Sequence, residues 1–464
     1  MKHMLRHRAY FLLAGFVKER IAKNPFRVLV LGLLGIILIG TLLLAMPFST
    51  RSGVPAPLID AWFTAISATC ITGFVAHDTY SFWSPFGQIV ILIMFQIGGI
   101  GFMTTATLMA MMLRRHISLR TRLVMVQSLN LDDITGIVRL TRHVAFATLL
   151  FESAGALILS IRFSVDYGFW GGVARGIFHS VSAFCNAGFD ILGDRGVFSS
   201  LNTYSGDMVI NITVMLLAVI GGMGFFVWED IYRKNGFCGL EVHSRIVLIT
   251  TAVLILVGAL FFFTMEYNNP DTIGGMPLEQ KVAASFLQSV TPRSVGFTTI
   301  NQSELTGPSK TMTVILMFVG GSPGSTAGGI KTVAFSVLLF AAFATLRGRS
   351  TVSVFRRTIP RRVIVASLAV TMISIGAVIL STLVITIQEK IPVSHALFES
   401  TSAMGTVGLS LGLTPSLSVL SKLVLSLLMF FGRVGIMSIG LATQMRLFGN
   451  KADRIKNPEG RIMI

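Results

Sequence analysis

Four short segments of this chain repeat one pattern, and a fourfold internal repeat narrows the available architectures more than any other feature of the sequence. They read IDAWFTAISATCITGF (59–74), ARGIFHSVSAFCNAGF (174–189), VAASFLQSVTPRSVGF (282–297) and SHALFESTSAMGTVGL (394–409). In each, a phenylalanine (Phe63, Phe178, Phe286, Phe398) stands ten residues before a glycine (Gly73, Gly188, Gly296, Gly408), and a Phe or Leu follows that glycine. A second glycine, Gly98, Gly221, Gly320 or Gly432, comes later inside a long apolar stretch, within the runs QIGGIGF, VIGGMGF, FVGGSPG and FFGRVGI. A further apolar stretch precedes each segment, at about 28–47, 143–162, 246–266 and 362–387, each long enough for a spanning helix. The unit is helix, short segment, helix with a small-residue break, used four times.

Composition says what solvent these units face. Of 464 residues, 53% are hydrophobic and only 13% charged, too few charges to cover the surfaces of soluble domains. Apolar stretches of about 20 residues match the hydrocarbon thickness of a bilayer. The repeated short segments are too short and too polar to cross it, so each reads as a half-helix that enters and turns back, which is tolerated only where it lines a cavity. The expected fold is an all-α membrane protein of four tandem helix–pore loop–helix repeats, eight transmembrane helices around a central ion pore. The repeats fall at 28–113, 138–232, 245–346 and 361–447, between a basic N-terminus (1–27) and a tail (448–464).

The net charge of +17 has its own pattern. Most of the Lys and Arg lie in five clusters: Lys2 to Arg27, Arg114 to Arg142, Arg233 to Arg245, Arg347 to Arg362, and Arg446 onward. If each cluster is cytoplasmic, an even number of crossings separates neighbours and both termini are inside, which is membrane topology rather than nucleic-acid binding. Three cysteines give no disulfide framework and match no zinc or redox spacing. His77, His179 and His395 show no metal-ligand spacing, and no carboxylate pair or nucleophile with its base supports an enzyme.

Four half-helices aimed at one axis would place four negative helix ends near one point, each worth roughly half an elementary charge. A cation would be held there. The residues that follow are Ile71-Thr72-Gly73, Asn186-Ala187-Gly188, Ser294-Val295-Gly296 and Thr406-Val407-Gly408. A ring of their backbone carbonyls can replace an ion's hydration shell, and the glycines permit the backbone angles that turn those carbonyls inward. The fourth loop, TVGLS (406–410), is close to the potassium-channel pattern TVGYG.

With these motifs the chain resembles the Trk/Ktr/HKT superfamily of potassium transporters, and most closely the Ktr-type membrane subunit. The resemblance runs from about Pro25 to Phe448, without the two additional N-terminal helices of Trk-type members. Its most specific element is GGSPGSTAGGIKT (320–332), which is similar to the family's intramembrane gating loop. The implied gate comprises Gly320, Gly321, Ser322, Pro323, Gly324, Ser325, Thr326, Ala327, Gly328, Gly329 and Lys331. Read from the residues alone, glycine, proline and serine in mid-helix unwind it and leave a flexible plug. A nucleotide-binding P-loop fails on spacing, because Ile330 intrudes before Lys331 and no strand precedes.

In the family a Gly in all four filter loops goes with potassium selectivity, and here all four are Gly. The departures are Cys70 and Cys185, each three residues before a filter glycine, and Pro292-Arg293 before the third filter. Arg433 stands where the other repeats have Gly99, Gly222 and Gly321. An intramembrane arginine faces a cavity or a partner, and the matching family residue lies at the constriction beside the gating loop, so Arg433 joins the implied gate as a pore-lining barrier, or else ties the broken helix to its neighbour by bonding to freed carbonyls. Lys331 either meets the pore or caps the inner half of the broken helix. Glu399 and Glu152 read as structural acceptors.

Resemblance further implies a homodimer on a cytoplasmic ring of nucleotide-binding regulatory subunits of the KtrA type, with the basic loops as docking surfaces or as contacts to membrane lipid. Potassium is the expected substrate, bound in the filter only; no cofactor is expected in the chain, and sodium is left open as a coupling or activating ion. The rival reading is a secondary transporter for a small organic or anionic solute. It expects two inverted halves, whereas the basic loops imply parallel repeats.

Overall fold

Prolines and glycines set where many of the helices start or stop. The computed structural model describes residues 25–101, 137–234 and 236–435. Unit one contains α1 (Pro25–Leu44), α2 (Leu58–Thr69) and α3 (Pro85–Ile100). Unit two contains α4 (Ile137–Phe184), α5 (Met208–Gly222) and α6 (Phe225–Arg233). Unit three contains α7 (Val242–Glu266), α8 (Leu278–Val290), α9 (Gly307–Phe318) and α10 (Thr332–Leu346). Unit four contains α11 (Arg361–Glu389), α12 (Val393–Gly405) and α13 (Val419–Val434). A two-stranded hairpin, Ser353–Val354 with Arg357–Thr358, sits in the basic linker before unit four.

The short helices α2, α8 and α12 each begin just after a proline (Pro57, Pro277, Pro392), whose extended backbone sets the turn into the helix. Unit two uses another device. Gly168, at φ 70°, ψ 170°, folds α4 back on itself, so its second half is the short helix of that unit. Gly172 and Gly176 then lie so close to Ser164 and Ser160 of the first half that neither has room for a Cβ.

Second helices need an acceptor for their first free N–H groups. Ser84 and Asp207 supply one at α3 and α5. In units three and four a carboxylate from the end of the first helix does the work. Glu266, fully buried, accepts the Thr306 N–H (3.0 Å) and hydroxyl (2.6 Å), together with Asn269 Nδ2 (2.7 Å) and the Thr272 hydroxyl (2.8 Å). Glu389 likewise accepts the Ser418 N–H and the Ser418 and Ser421 hydroxyls. Glu266→Ala is expected to strand these donors and to destabilise the fold by about 2 kcal/mol or more, read as a melting temperature several degrees lower in detergent. An unchanged melting temperature would show that the carboxylate is not the clamp between these helices.

Packing follows a cyclic rule. Within each unit the first helix packs on the short helix, and the second helix of each unit then packs on the short helix of the next: α3 on α4, α5 on α8, α9 on α12, and α13 back on α2. The fourth unit thereby closes on the first. Outward faces are apolar, as with Leu149, Leu157 and Ile161 on α4, Leu256 and Leu260 on α7, and Leu380 and Leu383 on α11, which suits lipid rather than water.

The expected count of eight spans is not what length and apolarity alone return. Among the described residues, three helices are long and apolar enough to cross a bilayer, and a fourth if the bent pair α5–α6, with its 89° break, is one span. Glycines at positive φ stand at the breaks: Gly101 caps α3, Gly224 lies between α5 and α6, and Gly435 caps α13. Most of the basic N-terminus (1–24), the cluster from Arg114 to Arg122, the end of repeat one (102–113), the end of repeat four (436–447) and the C-terminal tail lie outside the described residues.

Candidate functional site

All four short helices end at one ring. At the candidate filter residues the backbone repeats one conformation four times: positive φ at Ile71, Asn186, Ser294 and Thr406, and again two residues on at Gly73, Gly188, Gly296 and Gly408. Burial repeats too. In 71–75, 186–190, 294–298 and 406–410 the glycine and the residue two beyond it are partly exposed, while the other three are buried. Positive φ is unusual for Ile and Thr, so four such residues in register mark a conformation enforced by its surroundings.

The ring closes in order. A Cβ on Gly73 would meet the Ala187 carbonyl oxygen at 2.6 Å, one on Gly188 the Val295 oxygen at 3.0 Å, and one on Gly296 the Val407 oxygen at 2.6 Å. One on Gly408 would overlap the Thr72 oxygen. Each glycine therefore faces the carbonyl just before the glycine of the next loop, from loop one to two, three, four and back to one. The returning strands also satisfy the last carbonyls of the helices: Thr72, Ala187 and Val407 donate N–H bonds to Ser67, Ser182 and Ser402, at 2.8, 2.8 and 2.9 Å. In the third loop Val295 reaches Thr291 at 3.0 Å instead.

Side chains behind the ring are spent on holding it. The hydrophobic residues after the candidate filter glycines, Phe74, Phe189, Phe297 and Leu409, are all buried. Glu399 accepts from the Ser410 hydroxyl (2.6 Å), the Leu411 N–H (3.1 Å) and the Thr414 hydroxyl (3.2 Å), tying down the chain after the fourth loop. Glu152 accepts from Gln96 at 2.9 Å, beside Cys185. Asp60 at the start of α2 pairs with Lys422 of α13 at 2.8 Å and with His77 at 3.0 Å, pinning unit four to unit one.

Residues 320–332 form an excursion closed at its neck, where Gly320 donates to the Ile330 carbonyl and Thr332 to that of Gly321. It lies directly against the ring. The Gly328 N–H donates to the Ser294 hydroxyl at 3.2 Å, that hydroxyl donates to the Gly405 carbonyl at 2.5 Å, and Gly328 has no room for a Cβ beside Thr406. The excursion also bonds to units two and four, and through Arg433 it is tied to unit one. Ser322 and Thr326 donate backbone bonds to the Gly222 and Gly221 carbonyls of unit two, and the Thr326 hydroxyl reaches the Phe184 carbonyl at 3.2 Å. Gly329 donates to Gly432 of unit four. Arg433 completes the set, its guanidinium donating to the Thr326 carbonyl and to the Gly98 and Gly99 carbonyls of unit one. Lys331 stands at the start of α10 and donates back to Ala327 at 2.8 Å, closing the excursion on itself.

The second glycines now have a reason. Gly98, Gly221 and Gly432 sit against the carbonyls of Thr69, Phe184 and Met404, each four residues before its own filter glycine, with no room for a Cβ. In unit three the neighbour of Gly320 is Gly328 of the excursion instead. Spacing alone did not single out Ser294 and Thr406 as the meeting point of ring and excursion, nor Glu266 and Glu389 as clamps. The signal for the clamps was present as a Glu ending an apolar run, followed later by Thr306-x-x-Ser309 or Ser418-x-x-Ser421.

Comparison with known proteins shows the family. Residues 16–450 match the family model of TrkH, described as a cation transport protein. The potassium/sodium uptake protein NtpJ of Enterococcus hirae is 35% identical over 455 residues, 97% of this chain and 99% of its own length. Ktr system potassium uptake protein B of Bacillus subtilis is 38% identical over 422 residues, 90% of this chain and 93% of its own length. The crystal structure of the potassium transporter TrkH from Vibrio parahaemolyticus shares the fold, with a TM-score of 0.69 at 17% identity over 89% of this chain and 84% of that one. A family of membrane transporters leaves no place for the enzyme reading, and the chain is a member of the TrkH family of cation transport proteins.

Proposed function

We propose that this protein carries potassium inward across the cytoplasmic membrane. The ion sheds water at the ring of Gly73, Gly188, Gly296 and Gly408, whose loops (71–73, 186–188, 294–296 and 406–408) are the filter. Residues 320–332, held by Arg433, are the gate. The observation that carries this reading is the cyclic closure of four similarly turned loops, each presenting a carbonyl to the previous loop's glycine. Relatives named as potassium or potassium/sodium uptake proteins support the ion, and the second of these names keeps sodium as a candidate coupling or activating ion. An inside-negative potential would supply about 2.3 kcal/mol per charge per 100 mV.

The solute-transporter alternative is not favoured. An anionic substrate needs positive helix N-termini at the centre. The four short helices instead end there, which presents negative ends suited to a cation. We read the chain as eight crossings in the four units bounded above, with both termini cytoplasmic, working as a homodimer on a ring of nucleotide-binding subunits. One relative is named as part of a Ktr system, which fits a multi-component assembly.

Uptake of potassium and sodium into liposomes under an inside-negative potential tests the reading, with Gly73→Ser in parallel. The expected result is potassium uptake by the wild type and lost discrimination in the variant. Equal movement of both cations through both proteins would refute the four-glycine filter.

A further inference from the structure

Three residues before each filter glycine the chain has Cys70, Cys185, Arg293 and Gly405. Three are small and uncharged, and the fourth carries a full positive charge. Arg293 lies just past the end of α8, its N–H donating to the Val290 carbonyl at 3.1 Å, and it is 8% exposed. Its guanidinium donates to the Thr251 hydroxyl of α7 at 3.3 Å, while its Nε has no hydrogen-bond partner. The side chain lines a cavity behind the third filter loop, together with Ala218 and Gly222 of α5, Thr251 and Ile255 of α7, Val295 of the filter and Gly321 of the gate. None of these residues is acidic, and among the described residues no carboxylate pairs with Arg293.

A bare charge in a poorly polarisable interior acts over a longer range than one in water. The C-terminus of α8 carries roughly half a negative charge, so the whole positive charge of Arg293 outweighs it. Cation attraction at the ring is then lopsided, with three helix ends favouring an ion and the third cancelled. We propose that Arg293 is a positioning charge that weakens cation binding at Ser294-Val295-Gly296, so that a captured ion leaves the ring quickly. Transport needs binding strong enough to admit the ion and weak enough to release it, and this residue supplies the second half of that requirement. The inference rests on the potassium-uptake reading and adds to it a residue that sets affinity and turnover.

The test combines potassium uptake into liposomes with direct potassium binding by calorimetry, for the wild type, Arg293→Met, Arg293→Lys and Thr251→Asp. Removing the charge, or giving it a carboxylate partner in place, is expected to lower the KM and Kd for potassium roughly 3- to 10-fold and to reduce the maximal rate. Arg293→Lys keeps wild-type values. A role confined to ending α8 would change stability without this opposed shift in affinity and rate. The proposal falls if Arg293→Met and Thr251→Asp keep the wild-type KM, or if Arg293→Lys behaves like Arg293→Met. Thr251→Asp retains the arginine, so it decides the matter even if Arg293→Met fails to fold. Replacing chloride by gluconate should leave the wild-type KM unchanged; a shift would mean that a bound anion already neutralises Arg293, and would overturn the proposal. A wild type that neither binds nor moves potassium would reject both readings, whereas an active wild type with indistinguishable variants rejects this one alone.

Discussion

Gly408→Ala is expected to lower potassium uptake about 100-fold and to erase any preference for potassium over sodium. Two costs combine at this position. Gly408 sits at φ 82°, where an L residue costs about 1–2 kcal/mol. A Cβ there would also overlap the Thr72 carbonyl oxygen and stand 2.9 Å from the Gly73 carbonyl carbon. Those neighbours are backbone, and they belong to the loop that closes the ring, so relief has to come from moving the Thr72 carbonyl itself. Gly412 is the control for the first cost alone. Its φ is 87°, but nothing lies within 4 Å of a Cβ placed on it. Gly412→Ala should therefore destabilise modestly and keep uptake and selectivity within about twofold of the wild type. Tracer uptake of both cations into liposomes separates the cases. Wild-type selectivity in Gly408→Ala would mean that the ring does not choose the ion.

The contrast between Gly408 and Gly412 also shows how far spacing can be read as structure. Local pattern was enough to find the repeated short helices, the glycine turn after each of them and a small-residue break near each second glycine, because all of these depend on residues close in sequence. The wedge of Gly98, Gly221 and Gly432 against carbonyls of their own short helices explains why the second glycines recur so regularly. Order around the ring was not legible. Which carbonyl each glycine faces depends on contacts between residues more than a hundred positions apart, such as Gly408 with Thr72, and no local period encodes them. Positive φ at Ile71 and Thr406 was equally hidden, since intrinsic preference argues against it and only tertiary packing enforces it. The clamps at Glu266 and Glu389 escaped notice because a carboxylate at the end of an apolar run also looks like an ordinary boundary with water.

Arg433 bonds both the proposed gate and the helix break of unit one, and its removal should open the path. One guanidinium donates to Thr326 of the gating excursion and to Gly98 and Gly99 of unit one. Hydrogen bonds from a charged group are stronger than neutral ones, and here they join two backbone segments that have no covalent reason to stay together. The other ties of the excursion, to Phe184, Gly221, Gly222, Phe225, Gly432 and Ser294, are bonds between neutral groups. Losing the arginine therefore removes a large share of what favours the shut arrangement, by a margin of about 1–3 kcal/mol. Arg433→Ala is expected to raise potassium uptake into liposomes roughly tenfold in the absence of any cytoplasmic subunit. Amide hydrogen exchange in residues 320–332 should quicken by a similar factor. Arg433→Lys should fall between, because an ammonium offers three donors from one point and cannot span Thr326 and Gly99 as a planar fork does. The sign of the effect is the decisive part. If uptake falls in Arg433→Ala while the protein stays folded and its filter still prefers potassium, the guanidinium is not a latch on the gate, and its charge is instead part of the route the ion takes.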